Sequence, residues 1–178
     1  MSLDGYVDGP DGDNDWMMRT RSPEGMAWVA ETMSQAGAHL LGRRSYEGFA
    51  TFWPTATGPL AAAMNEIPKI VFSKSGSLDV DPATPAGWDN PRVFGSDLAA
   101  DIAALKAEPG KDLLAHGGVS FARSLIRERL VDEYLLAVHP VVLGSGSALF
   151  EGMAPFDLEL VDAIRFPIGS QVLIFRPK

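Results

Sequence analysis

Two stretches of this chain could seat a phosphate group. A helix that starts directly after a strand leaves its first backbone N–H groups unpaired, and a glycine at the junction lets an anion come close. The first stretch is Gly42-Arg43-Arg44-Ser45-Tyr46, where an apolar run delivers two guanidinium groups and a hydroxyl to a helix start. Forked guanidinium donors match phosphate oxygens, and each charge-assisted hydrogen bond contributes roughly 1.5–3 kcal/mol. The second is His116-Gly117-Gly118-Val119-Ser120, whose glycine pair would admit a pyrophosphate. Ser73-Lys74 follows a third apolar run and could meet an additional phosphate. Each stretch alone has a plain alternative: solvated surface arginines, a tight turn, an ordinary polar loop. All three follow strand-like runs, and open α/β sheets place ligands beyond the carboxyl ends of their strands. The six-residue glycine fingerprint of dinucleotide folds is missing, since Gly144-Ser145-Gly146 would need glycine where Leu149 stands.

Other chemistry fits less well. Asp11, Asp13 and Asp15 copy the start of a calcium loop, but Trp16 occupies the glycine position and Ser22 the bidentate glutamate position, so no metal is expected. The acidic stretch from Asp8 to Asp15 then reads as a solvated loop, or as a lid carrying Trp16 over a pocket. Gly118-Val119-Ser120-Phe121-Ala122 resembles a nucleophile elbow, with Asp132 and His139 following in hydrolase order, which makes a serine hydrolase using Ser120 an alternative. His39, His116 and His139 lack metal-ligand spacing. Trp28 and Phe49 read first as core residues.

The elements that must hold these residues follow from hydrophobic period and punctuation. Ser22 as cap, Pro23 at the first helical position and Glu24 near the positive dipole end predict a helix from Pro23 to Ala36. Ala38–Leu41, Lys69–Phe72, Arg92–Phe94 and Asp112–Ala115 read as short buried strands. Ser96 is expected to cap a helix with Leu98, Ile102 and Leu105 on its apolar stripe, and the glycine pair should turn into another helix ending near Arg129. The connector from Ser75 to Pro91 is rich in Pro, Gly and Asp. From Tyr134 onward the pattern is strand-like, with Pro167-Ile168-Gly169 between the last two runs. The expected class is α/β: a mostly parallel central sheet with helices on both faces and a C-terminal antiparallel hairpin.

Composition bounds the rest. A chain of 178 residues with 46% hydrophobic content closes one core, so a single domain over 1–178 is expected. A net charge of -8 opposes binding to nucleic acid or to an anionic membrane surface, so a phosphate must be captured locally. Without cysteine, signal peptide or long apolar run, the reading is a soluble cytoplasmic protein.

Ser2-Leu3-Asp4-Gly5-Tyr6-Val7, Gly42-Arg43-Arg44-Ser45-Tyr46, Phe72-Ser73-Lys74, Gly117-Gly118, Val131-Asp132-Glu133 and Pro140 through Gly146 occur in an order that resembles the riboflavin-biosynthesis reductase C-terminal domain family. The resemblance implies a dihydrofolate reductase-like fold, NADPH as cofactor and hydride transfer to a small heterocycle. The substrate implied is most like 5-amino-6-(5-phosphoribosylamino)uracil, with a dihydrofolate or pterin reductase and a non-catalytic nucleotide-binding module as alternatives. It implies that Gly42, Arg43, Arg44 and Ser45 hold cofactor phosphates, that Ser73 and Lys74 approach the adenosine 2′-phosphate, and that Gly117, Gly118, Val119 and Ser120 pack against the pyrophosphate. Asp4 matches the family's substrate-side aspartate and, with Glu24, is the candidate for proton delivery; as a residue, Asp4 reads equally as a loop-capping carboxylate. Trp16 and His116 join Asp4 as candidate substrate contacts. Folate reductases carry an acid in the first helix where Gly25 stands, and pyrimidine reductases commonly carry glutamate where His116 stands, so this sequence departs from both patterns at those two positions. The family also has a full first strand before its Ser-x-Asp-Gly motif, where this sequence has Met1 alone, and its members often form homodimers through the β-rich part.

Overall fold

The computed structural model describes residues 1–178. Its contacts divide into two compact units, Met1–Met26 with Arg123–Lys178, and Ala27–Ala122. Helices α1 (Asp15–Arg19) and α2 (Pro23–Ser34) precede strand β1 (Ala38–Gly42) and helix α3 (Arg43–Phe52). Then come α4 (Pro59–Glu66), β2 (Lys69–Phe72), β3 (Arg92–Phe94), α5 (Leu98–Ala107), β4 (Leu113–Gly117) and α6 (Val119–Arg127). Strands β5 (Tyr134–Val138), β6 (Leu158–Arg165) and β7 (Gln171–Pro177) complete the chain.

The Ala27–Ala122 unit holds a four-stranded sheet in the order β3-β2-β1-β4, with every pairing parallel. Because the strands run parallel, the segments following β2, β1 and β4 emerge side by side at one edge of the sheet. The middle strands are apolar and buried: Leu40, Leu41, Ile70 and Val71 are at most 4% exposed. Leu41, Tyr46, Met64, Val71 and Trp88 form the core cluster, against which Met33, Phe49 and Trp53 pack. Trp88 lies in the connector that composition marked as a loop. Its indole Nε1 donates to Asn65 Oδ1 at 2.8 Å and its carbonyl accepts from the Tyr46 hydroxyl, so the irregular segment is pinned to the core. Helix α5 is capped by Asp97, whose Oδ1 accepts from Ala100 N at 3.0 Å. Ser96 does not take that place, because the helix begins at Leu98, the first residue of the stripe, which makes Asp97 the capping residue.

The unit made by Met1–Met26 and Arg123–Lys178 holds a three-stranded antiparallel sheet in the order β5-β7-β6. The expected hairpin is β6–β7, closed where Phe166 N donates to Ser170 O at 2.9 Å. Strand β5 pairs with β7, so the antiparallel part is a sheet of its own. Ser2 bridges to His139 in parallel, and Leu3 N donates to Val141 O at 2.8 Å. The stretch around Trp16 is the short helix α1, and Trp16 itself is 1% exposed, with its ring edge-on to His139. No helix is long and apolar enough to cross a membrane.

Candidate functional site

Strand β1 runs without a loop into α3, and Gly42 at the junction supplies no side-chain cap. The first turn of α3 contains no acidic residue. Helix α6 likewise follows Gly118 directly and has no acid in its first turn. Two other helix starts are served by side chains: Ser22 Oγ accepts from Gly25 N at 3.0 Å for α2, and Asp97 with Asp101 serves α5, whereas α4, preceded by Gly58, also lacks a side-chain cap. A side-chain cap contributes about 0.5–2 kcal/mol. At α3 no side chain caps the helix start, and Gly118 ahead of α6 has no side chain to offer, so both starts carry a positive dipole end that favours an anion.

The two open ends are adjacent. Leu41 of β1 is in register with Gly117 of β4. A Cβ built on Gly118, where φ is +86°, would lie 2.8 Å from Ser45 Oγ. A Cβ on Gly117 would lie 2.6 Å from Leu41 Cδ2 and 3.1 Å from Ser45 Cβ. The glycine pair therefore lets the start of α6 close on the start of α3, a packing requirement that the turn-only reading lacked. Arg44 is exposed beside these N–H groups. Arg43 is exposed as well, and its Nε donates to Glu47 Oε1 at 2.8 Å, a surface pair that a stronger anion can displace. The hydrogen bond and the charge of Glu47 raise the Arg43 pKa, so it stays cationic.

On the other side of β1, Ser73 follows β2. It is 3% exposed, and its hydroxyl bonds Ser75 Oγ at 2.9 Å, which in turn lies 3.1 Å from Ser77 Oγ. Lys74 projects into solvent next to this hydroxyl chain. The structure thus brings Arg43, Arg44, Ser45, Gly117, Gly118, Val119 and Ser120 to adjoining junctions, with Ser73 and Lys74 one strand away.

The other candidates have different surroundings. Asp4 is the capping carboxylate of its loop: Oδ1 accepts from Ser2 Oγ at 2.7 Å and Leu143 N at 3.1 Å, and Oδ2 accepts from Gly144 N at 2.8 Å. The Ser2 hydroxyl, followed by the Gly144 amide, holds its carboxyl below the usual range, so it is ionised at neutral pH. Glu24 is exposed in the first turn of α2, where it serves the helix dipole. Gly25 packs beside Ser22 and Phe166, and no acid replaces it there. His116 points inward: its Nε2 lies 2.9 Å from His39 Nδ1 and its ring stacks on Phe49 at 6.0 Å. Burial, then the neighbouring His39, pushes its pKa down to about 3. His116 is therefore a neutral, half-buried group whose Nε2 is engaged by His39, and Trp16 is packed against His139. For the hydrolase alternative, His139 Nδ1 is engaged by Thr20 Oγ1 at 2.8 Å and its ring faces Trp16, the setting of a packed histidine rather than a free base.

Residue patterns did not reveal two features. His39 is fully buried in β1, and its one sequence signal was a lone polar residue inside an apolar run. The other is an open cavity of about 580 Å³ lined by Asp4, Gly5, Tyr6, Gly146, Phe150 and Glu151. Its loop is held by Asp4 and by Asp8, whose Oδ1 accepts from Ser147 N at 2.8 Å.

Comparison with known proteins agrees with the fold. The family model described as the RibD C-terminal domain matches residues 1–173. The uncharacterized protein YyaP of Bacillus subtilis (strain 168) is 30% identical over 98% of this chain and 90% of its own length. The uncharacterized protein YwjB of the same organism is 28% identical, covering 84% of this chain and 78% of its own. Among crystal structures, a Shewanella sp. PV-4 protein provisionally named for riboflavin biosynthesis superposes with a TM-score of 0.78 at 23% identity, covering 100% and 95% of the two chains. A pyrimidine reductase-like protein from Corynebacterium diphtheriae gives 0.68 at 16% identity, covering 100% and 89%. At these identities the structural likeness is one of fold.

Proposed function

Because this chain belongs to the RibD C-terminal domain family and has its reductase-like fold, we propose that it is an NADPH-dependent reductase of a small heterocyclic substrate, most like the aminopyrimidine reduced in riboflavin biosynthesis. The observation that carries the reading is the pair of helix starts that follow glycines, α3 after Gly42 and α6 after Gly118, pressed together through Ser45 and Gly117-Gly118 with Arg43 and Arg44 alongside. Amide N–H groups from both starts would meet the pyrophosphate. Ser73 and Lys74 stand one strand over, where an adenosine 2′-phosphate would be met by a cation and a hydroxyl.

Bound there, NADPH would supply a hydride to an electrophilic C=N or C=O carbon. The chain's part is to hold and orient the reactants and to keep water from the site. Asp4 contributes by fixing the Leu143–Gly144 loop.

The test is nucleotide titration followed by NADPH oxidation against a panel of aminopyrimidines, pterins and carbonyl compounds. Substrate-dependent loss of NADPH absorbance is expected. Lys74→Ala should weaken NADPH by about tenfold or more, from loss of one charge-assisted contact, and leave NADH nearly unchanged. Tight NADPH binding without turnover of any compound would point to a nucleotide-binding module. Esterase activity lost in Ser120→Ala, in a protein that does not bind NADPH, would replace the proposal with the hydrolase.

A further inference from the structure

Two side chains and a backbone carbonyl inside the Ala27–Ala122 unit form a polar chain that the nucleotide reading does not use. The Ala63 carbonyl of α4 can only accept, so His39 donates to it from Nε2, at 3.1 Å. Neutral His39 then keeps a lone pair on Nδ1, which accepts from His116 Nε2–H at 2.9 Å. One carbonyl thus dictates the tautomer of both rings. The His116 ring is held edge-on by His39, at 4.6 Å and 83°, and stacked by Phe49, at 6.0 Å and 13°. Phe49 Cε2 also lies 3.5 Å from the Cβ position of Gly117, the residue that follows His116. The residue before the turn cannot rotate without disturbing its contacts to His39 of β1 and Phe49 of α3.

The charged group facing the pair is Lys69 of β2, in register with His39; it donates to the Asn65 carbonyl at 2.8 Å and its Nζ lies 4.5 Å from the Trp88 ring centroid. From α3 and α4 the pair meets the Phe49 ring and the Ala63 carbonyl, neither of which titrates.

We propose that His39 is a positioning residue for the Gly117-Gly118 turn, acting through the ring of His116 to hold the turn against Ser45. The consequence for cofactor binding rests on the reading that this turn receives a pyrophosphate; the hold on the turn itself does not.

The experiment compares His39→Leu, which removes both hydrogen bonds, with His39→Gln, whose amide can still donate to Ala63 and accept from His116. Amide exchange without nucleotide reads the turn, and steady-state kinetics with NADPH read the site. In His39→Leu, exchange at residues 117–120 should quicken about tenfold while β5–β7 keep their wild-type rates, and KM for NADPH should rise about tenfold with kcat within about twofold. His39→Gln should restore both to within about threefold. Unchanged exchange in His39→Leu, or equal damage in the two variants, overturns the proposal. Imidazole 15N shifts of the wild-type protein provide a reading that needs no variant: both rings should be protonated at Nε2 and bare at Nδ1, and a proton on His39 Nδ1 overturns it. Failure of the wild-type protein to bind NADPH would refute the cofactor reading and leave the exchange comparison to decide the role of His39.

Discussion

Acid should destabilise this protein through a group that looks inert at neutral pH. His116 has an ordinary pKa near 6.5 when the chain is unfolded and about 3 when burial and His39 surround it. Its folded pKa is depressed, so the unfolded chain binds the proton more readily. The native state keeps its full advantage above pH 6.5 and loses it as pH falls from there toward 3. At pH 5 the unfolded side chain is almost fully protonated and the folded one is not, which lowers stability by about 2 kcal/mol relative to pH 7.5. Any folded value below about 4 gives nearly the same result at pH 5. Other groups move in the same direction. His39 and His139 are lowered by burial first, and the Met1 amino group is lowered to about 6 by burial, with its own loss falling mainly between pH 8 and 6. The His116 share is therefore read as a difference. Urea unfolding of the wild-type protein and of His116→Gln, each at pH 7.5 and pH 5.0, should show the wild type losing about 2 kcal/mol more than the variant. Equal losses would mean that His116 takes up its proton in the folded chain, which would refute its placement between His39 and Phe49.

Three further outcomes are expected. Trp88→Ala removes an indole at the centre of the larger core cluster together with its hydrogen bond to Asn65, and should cost about 3–5 kcal/mol, measured by thermal or urea unfolding. Asp4→Asn should lower the melting temperature by loosening the Leu143–Gly144 loop while the acid limb of the kcat–pH profile stays in place; a shifted limb would return Asp4 to the role of proton donor. Strand β6 exposes Leu160 at 54% and Val161 at 46% on the outer edge of its sheet, so the expected homodimer should form there, and Leu160→Glu should yield monomers in sedimentation; a monomeric wild-type protein would refute the dimer.

The sequence by itself determined the local elements and the chemistry of the junctions. Lys69–Phe72 and Arg92–Phe94 were legible as strands because short apolar runs bounded by polar or breaking residues have few other uses. The start of α2 was legible because Ser22 and Pro23 act on the backbone a few residues away. The arginines after β1 and the glycines after β4 were visible for the same reason: a junction is local, and its ligand preference comes from residues adjacent in the chain. Tertiary structure decided the roles that depend on a distant partner. Asp4 reads as catalytic or capping until Leu143 and Gly144, about 140 positions on, are seen to occupy its oxygens. His116 looks available until His39, 77 positions away, is found against its Nε2. Trp16 and Trp88 sit in polar, loop-like stretches, yet each is 1% exposed, because burial is set by what packs across the fold. Side-chain type limits what a residue can do. Whether its proton, lone pair or ring is free to do it depends on contacts that local pattern does not encode.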